Sequence, residues 1–423
     1  EPDTGTGHSR DRIPYGKRRF YPGGPVASHV IGLVNIDNQG ISGLEKYIDG
    51  QGLSVLQKTG MASNQPLEPV KLSLDLRVQH ILRDELEQGM ERYQAIGAGG
   101  VVLNVRTGEV VAMSSVPDFN PNNPVDALDK DRLNRMSGGI FEMGSTFKAF
   151  TLAMGLDEGK ITLQSQFDAS KPLHIDGFTI HDFHAKHRML SVPEVFIYSS
   201  NIGAGEIAEK VGLDAQKAFL TKMGLLTRMQ TELPEVAEPT QPAVWKKING
   251  ITIAFGHGVA TTPLQTAVAG AALVNGGRLI EPTFFPRTQQ AADAMAKQVI
   301  KPVTSDQMRY LFRLNAQDGS GRNALVPGYD VGGKTGTAEK VVNGRYVSDK
   351  RFNAFLGAFP MNDPQYIVLV VIDEPKPEPG RYYATAGMNA APMVAAIIRR
   401  SAALLGVKPE FGQDGKPLMA SVD

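Results

Sequence analysis

From Leu72 the apolar positions fall into register. With Asp75 as the expected N-cap, Val78, Ile81, Leu82, Leu86 and Met90 recur at helical spacing and predict a helix. Two strands follow, Gly100 to Asn104 and Glu109 to Met113, joined by the turn Arg106-Thr107-Gly108. Residues 117–136 are rich in Pro and Asn and read as loop. From about 141 to 325 the apolar spacing is mostly helical, with loops at 164–192 and 231–246. Strand signals return at Tyr329 to Ala338, Asn353 to Phe359 and Tyr366 to Ile372, and Asn343-Gly344 between the first two favours a tight turn. Pro392 to Leu405 predicts a last amphipathic helix ended by Gly406. The pattern therefore predicts a sheet of two early and three late strands that bracket a long helical insertion, with no internal repeats.

Ahead of this region, residues 1 to about 68 carry Gly, Pro and charge with few periodic apolar runs, and read as an extended or loop-rich lead-in. Arg19-Phe20-Tyr21-Pro22-Gly23-Gly24 is a turn cluster, and His29 to Val34 reads as a short strand.

Composition narrows the class without choosing a function. The 423 residues allow about two to three domains of roughly 150 residues. Lys+Arg and Asp+Glu both number 44, so bulk charge favours neither nucleic acid nor an anionic membrane surface. With no cysteine there is no disulfide, thiolate metal site or Cys nucleophile, which suits an oxidising compartment such as the periplasm. The most apolar uninterrupted stretch, Ile367 to Ile372, is six residues, against about 20 needed to span a bilayer. No signal peptide is visible, and the expectation is that a native anchor has been removed ahead of Glu1.

Three short motifs carry the chemistry. Ser145-Thr146-Phe147-Lys148 is an S-x-x-K, Ser199-Ser200-Asn201 an S-x-N, and Lys334-Thr335-Gly336-Thr337 a K-T-G-T. A serine hydroxyl needs a base, and Lys148 lies three residues on from Ser145, one helical turn away. It serves as a base only when neutral, which burial and a second cation such as Lys334 would favour. Ser145 at a helix start also offers its own N–H to an oxyanion. Ser199 could relay a proton between a lysine and a leaving amine, and Asn201 could hold a substrate amide. Gly336 would let a substrate backbone lie close against the strand edge. Lys334 with the hydroxyls of Thr335 and Thr337 offers charge and donors to a terminal carboxylate, and the Thr337 N–H a second oxyanion donor.

Taken singly, each motif is more often a capped helix, a loop or an exposed polar strand. All three in this order form the signature of serine enzymes that acylate on a penicillin or a D-Ala-D-Ala peptide. The histidines His174, His181, His184 and His187 crowd into fourteen residues, but their spacing does not hold one helix face and the stretch reads as loop rather than a metal site. Glu142 beside the nucleophile reads as structural or electrostatic rather than as a general base.

Over roughly residues 19 to 407 the chain resembles the penicillin-binding proteins, and within them the class B monofunctional transpeptidases, most like the division-specific member of alphaproteobacteria. Beyond the three motifs, the resemblance lies in Tyr21 to Gly24 with Ala27, His29 and Gly32, and in the Gly40 to Leu44 region. It continues through Gly108 to Met113, Gly256 with Thr262-Pro263-Leu264-Gln265, Gly319-Ser320-Gly321, and Lys334 to Glu339 followed by Phe352 to Phe355. It implies an α+β penicillin-binding fold with a five-stranded antiparallel sheet and a large helical subdomain. The expected layout is a short N-terminal linker or pedestal remnant at 1–68, a transpeptidase domain at 69–407 and a tail at 408–423.

The implied activity is cross-linking of peptidoglycan stem peptides through a serine acyl-enzyme during septal wall synthesis, with β-lactams as inhibitors. The implied catalytic residues are Ser145, Lys148, Ser199, Asn201 and Lys334, with Thr335, Gly336 and Thr337 binding substrate. The resemblance implies no metal or organic cofactor, no nucleic-acid partner, a lipid-II polymerase and other divisome proteins as partners, and residence on the periplasmic face of the inner membrane. The elongation-specific relative, a β-lactamase, a D,D-carboxypeptidase, a penicillin sensor and a non-catalytic divisome scaffold are the competing readings. No separate Glu motif for hydrolysing an acyl-enzyme is present, which counts against a β-lactamase.

Overall fold

Asp75 starts the first long helix, α1 (Leu76–Arg92), by accepting the Arg77 N–H. Val78, Leu82 and Leu86, one turn apart, are fully buried on its inner face. The chain then runs into β1 (Gly97–Asn104) and β2 (Val110–Val116). In the turn between them Gly108 has φ +75°, where a side chain would be strained. The late strands are β3 (Gly332–Val342), β4 (Arg345–Phe359) and β5 (Tyr366–Asp373). All five pair antiparallel in the order β2-β1-β5-β4-β3, with Gly97 opposite Asp373, Phe352 opposite Asp373 and Asn353 opposite Thr337. This computed structural model describes residues 17–53 and 68–411. The expected lead-in segments 1–16 and 54–67, and the part of the expected tail beyond 411, lie outside the described residues.

The sheet is apolar on both faces, and strand alternation sorts its side chains into two cores. Val102, Val368, Val370 and Ile372 pack with α1 and with α7 (Ala390–Ser401). Val101, Leu103, Leu369 and Val371 pack with the helical insertion. That insertion comprises α2 (Phe147–Asp157), α3 (Val192–Ile197), α4 (Asn201–Val211), α5 (Pro263–Val274) and α6 (Pro302–Asp318), with further helices Leu213–Lys222 and Lys247–Ala254. Helix α5 is buried along its whole length, and Thr262 and Gln265 close its start with a reciprocal cap ahead of Pro263. The site described below lies where edge strand β3 meets this insertion.

Several sequence expectations change. His29 to Val34 is not a strand: Ser28–Ile31 is a helical turn, and only Val34 bridges, to Gly40. A Cβ on Gly32 would lie 1.9 Å from Ser42 O, so this backbone contact overrides the β propensity of the Val and Ile residues. The lead-in is also packed, because Val30 and Leu44 belong to the main core. Gly43 N–H bonds Glu235, and Asn122 clasps the Tyr21 backbone.

Within the expected loop at 164–192, residues 166–168 pair with 189–191, and 173–175 with 178–180. The third strand begins at Gly332 rather than Tyr329, and it and β4 reach the Asn343-Gly344 turn itself. There Asn343 and Gly344 have φ +52° and +76°. The polar stretch Lys340 to Arg351 hides this extension, since hairpin arms need backbone pairing and not two apolar faces. The last helix spans Ala390–Ser401, and Gly406 at φ +77° closes a turn beyond it rather than the helix.

Candidate active site

Gly144, at φ +58°, turns the chain into a short 3-10 turn, Gly144–Thr146, that feeds α2. Ser145 lies in this turn, and Lys148 in the first turn of α2, entirely buried. The turn is wedged between two other backbones. A Cβ on Gly256 would sit 1.9 Å from Gly144 O, and one on Gly336 would sit 2.4 Å from Met143 O. Gly336 is therefore required to be small by the nucleophile's own turn, a constraint the sequence reading did not include. Glycine at these positions lets β3 and the 256 loop press the serine into place.

Ser199 sits between α3 and α4 with φ +54°, a left-handed conformation that disfavours a side chain by about 1–2 kcal/mol. This bend lets one residue offer Lys148 two oxygens. Lys148 Nζ lies 2.6 Å from Ser199 O, 2.9 Å from Ser199 Oγ and 2.9 Å from Ser145 Oγ. A neutral amine that donates its two protons to the Ser199 oxygens keeps its lone pair for the Ser145 hydroxyl. On the far side, Lys334 Nζ donates to Ser199 Oγ at 3.1 Å and to Thr335 O at 3.1 Å. The polar atoms thus form one chain, from Ser145 through Lys148 and Ser199 to Lys334.

Burial sets the protonation of this chain. It pushes Lys334 down to about 7. Burial first, and the neighbouring Lys334 ammonium second, hold Lys148 well below the ordinary lysine range, while Asp182 pulls the other way. Of the two lysines, Lys148 is the one hydrogen-bonded to Ser145 Oγ, so it is the one placed to take that proton.

Asp182 was not singled out by the sequence, yet it organises the S-x-N turn. Ser200 donates to its Oδ2 at 2.6 Å and the Ile202 N–H to its Oδ1 at 2.9 Å. Ser200 in turn caps α4 through the Gly203 N–H. Asn201 opens that helix and donates to His181 O at 3.1 Å. The carboxylate lies 17 residues ahead of Ser199 in a stretch notable for its histidines, and no local pattern marks it. Those histidines serve separate ends: His174 pairs with Thr179 Oγ1, and His184 lies against Phe183. Among the described residues no group of three or more His, Asp or Glu is placed to hold a metal ion.

Thr335 and Thr337 follow Lys334 on β3. Thr335 Oγ1 lies 2.7 Å from Ser320 Oγ, and Thr337 Oγ1 accepts the Ala386 N–H at 3.0 Å. Glu142 takes the Gly258 N–H at 2.8 Å and the Tyr346 hydroxyl at 3.2 Å, and burial raises its carboxyl above the usual range. It ties the nucleophile's turn to the 256–258 loop and the β3–β4 hairpin. His257, stacked on Tyr346, is held below the ordinary imidazole range by burial and then by Lys148.

Comparison with known proteins agrees with this geometry. The profile of the penicillin binding protein transpeptidase domain matches residues 98–399. The chain is 40% identical over 402 residues to a probable peptidoglycan D,D-transpeptidase FtsI of Caulobacter vibrioides, covering 93% of this chain and 67% of that protein. It is 35% identical over 428 residues to stage V sporulation protein D of Bacillus subtilis, covering 93% and 65%. The chain thus spans about two thirds of the length of these relatives. Among solved structures, the transpeptidase domain of Burkholderia pseudomallei penicillin-binding protein 3 superposes with TM-score 0.72 at 29% identity, covering 82% of this chain and all of that one. Penicillin-binding protein 3 of Mycobacterium tuberculosis, complexed with aztreonam, gives TM-score 0.80 at 25% identity over 93% of this chain and 91% of that one.

Proposed function

The chain belongs to the class B penicillin-binding protein transpeptidases, serine-type acyltransferases of peptidoglycan, and from that premise we propose how its residues divide the work. The observation that carries the assignment is a fully buried lysine, held well below its ordinary pKa, 2.9 Å from the Ser145 hydroxyl. Lys148 takes the Ser145 proton, and Ser145 Oγ attacks the carbonyl of the penultimate D-Ala of a stem peptide. The N–H groups of Ser145 and Thr337 receive the oxyanion. Thr337 supports this role by position, because a Cβ on Gly144 would come within 3.0 Å of its backbone.

The proton then passes from Lys148 through Ser199 to the departing D-Ala amine, and the C–N bond breaks, leaving the stem as an ester on Ser145. An acceptor amine from a neighbouring stem attacks that ester. Its proton returns through the same relay to Ser145, and a cross-link amide is released. Asn201 orients the stem amide. Lys334, Thr335 and Thr337 hold the terminal carboxylate, with Gly336 keeping strand and nucleophile in contact. A β-lactam follows the first half of this path, but its leaving amine stays tethered in the site and obstructs the acceptor.

The fold is that of a penicillin-binding transpeptidase domain, and we place it in division rather than lateral growth on its likeness to the Caulobacter relative. In that setting it works at the periplasmic face of the inner membrane beside a lipid-II polymerase and other divisome proteins. No helix among the described residues is long and apolar enough to cross a membrane. Residues 69–407 are proposed as the transpeptidase domain, with 1–68 ahead of it and 408–423 as a tail.

Labelled penicillin tests the chemistry. The wild-type protein is expected to hold the label for many minutes, and Ser145→Ala to take none. Release within seconds would mean hydrolysis of the acyl-enzyme, and a folded wild type that takes no label would remove the serine-acylation assignment. A stem-peptide donor with an added amine is expected to give a cross-linked product.

A further inference from the structure

We infer that Ser320 and the backbone N–H of Ala386 are positioning groups for anion recognition: each serves the acceptor side of one β3 threonine hydroxyl, so that Thr335 and Thr337 both present their protons to a carboxylate at the strand edge. The inference rests on the transpeptidase reading and deepens it, by naming what makes the site selective for a charged terminus.

Proton counting leads to it. A hydroxyl has one proton to give and two lone pairs to receive with. Thr337 Oγ1 receives the Ala386 N–H at 3.0 Å, so its own proton is left to donate. Thr335 Oγ1 and Ser320 Oγ are 2.7 Å apart, and either can be the donor. Ser320 has one further acceptor, Asn315 Oδ1, at 3.4 Å, and that oxygen also takes the Ser320 N–H at 3.3 Å.

With the edge empty, Thr335 can donate to Ser320, and Ser320 to Asn315 over the long contact. A carboxylate changes the balance, because a hydrogen bond to a charged acceptor is about twice as strong as one between neutral groups. Thr335 then donates to the anion, and Ser320 turns its proton from the 3.4 Å contact to the 2.7 Å one. Only the weak bond is given up, and the two remaining bonds polarise each other in series. Nothing covalent changes; two hydroxyl rotors reorient.

The surroundings hold Ser320 for this purpose. Asn315 is fully buried and donates to Gly333 O at 2.8 Å, which fixes it to β3 one residue ahead of Lys334. The Gly319-Ser320-Gly321 loop wraps this asparagine closely, since a Cβ on Gly319 would lie 2.2 Å from Asn315 Oδ1. Asn323 Nδ2 donates to Gly387 O at 2.7 Å, and a Cβ on Gly387 would meet Ser320 O at 3.1 Å. The loop that carries Ser320 and the loop that carries Ala386 are therefore joined to each other as well as to the strand.

The test uses the whole chain and two thioester donors that differ only at the terminus, a carboxylate in one and a carboxamide in the other. For Ser320→Ala, kcat/KM on the carboxylate donor is expected to fall about tenfold, mainly through KM, with little change on the carboxamide donor. Ser320→Thr keeps the hydroxyl and is expected to restore the preference, while saturating penicillin still labels Ser145 in every variant. Equal losses on both donors, or no loss on either, would overturn the inference and leave the serine-acylation reading standing. A wild type that penicillin does not label would instead sink both, and that result is seen without any change at position 320.

Discussion

At the scale of single residues, the site depends on two buried lysines that share one serine. Lys334 lowers Lys148 through its charge, and burial lowers both. Lys334→Met removes the second cation, so Lys148 holds its proton to higher pH. Acylation needs the free amine, and the acid limb of its pH–rate profile is therefore expected to move to higher pH, read from rates of penicillin labelling. An unmoved limb would show that the two charges are uncoupled.

The same substitution should stabilise the fold. Lys334 titrates at about 7 when folded, against the ordinary 10.5. Between those values the unfolded chain binds a proton that the folded chain does not, so wild-type stability rises with pH across this window. The advantage of Lys334→Met is greatest at or below pH 7, on the order of 5 °C in Tm, and fades as pH approaches 10.5. Thermal scans at several pH values give the sign directly. The motifs made Ser145, Lys148, Ser199 and Lys334 legible as candidates because their spacing is local or their chemistry distinctive. Asp182 and Ser320 were not legible as actors, since their partners Ser200 and Thr335 meet them only in the fold.

At the scale of elements, the serine is positioned by backbone contact between the nucleophile's turn, β3 and the 256 loop. Gly336→Ala places a methyl group 2.4 Å from Met143 O and must displace either the turn or the strand edge. A displacement of about 1 Å at a reacting centre can lower a rate on the order of 100-fold. We expect Gly336→Ala to fold, with an unchanged far-ultraviolet spectrum, and to be acylated about 100-fold more slowly; near wild-type labelling would show that the contact yields freely. Periodicity located α1 and its Asp75 cap, because a helix advertises its face over several turns. It placed the His29 to Val34 strand wrongly and shortened the β3–β4 hairpin, because a single glycine contact and a polar hairpin arm leave no periodic trace.

At the scale of the whole molecule, one sheet separates two cores and the described lead-in is part of the larger of them. Leu44 is buried there, in one cluster with residues as distant in the chain as Phe284 and Val371. Leu44→Ala is expected to lower unfolding stability by about 2–4 kcal/mol in chemical denaturation, and a change near zero would mark residues 17–53 as a loosely attached segment. The sequence by itself determined the reaction class, the bracketing of a helical insertion by two early and three late strands, and the serine proposed to carry the acyl group. These follow from motif chemistry and alternation, which are written in neighbouring positions. Only the tertiary structure decided how Lys148 is buried and shared between Ser145 and Ser199, why Gly336 must be glycine, and which groups hold Ser199 and Thr335. Each of those turns on burial and on backbones brought together from distant parts of the chain, and neither quantity exists before the chain has folded.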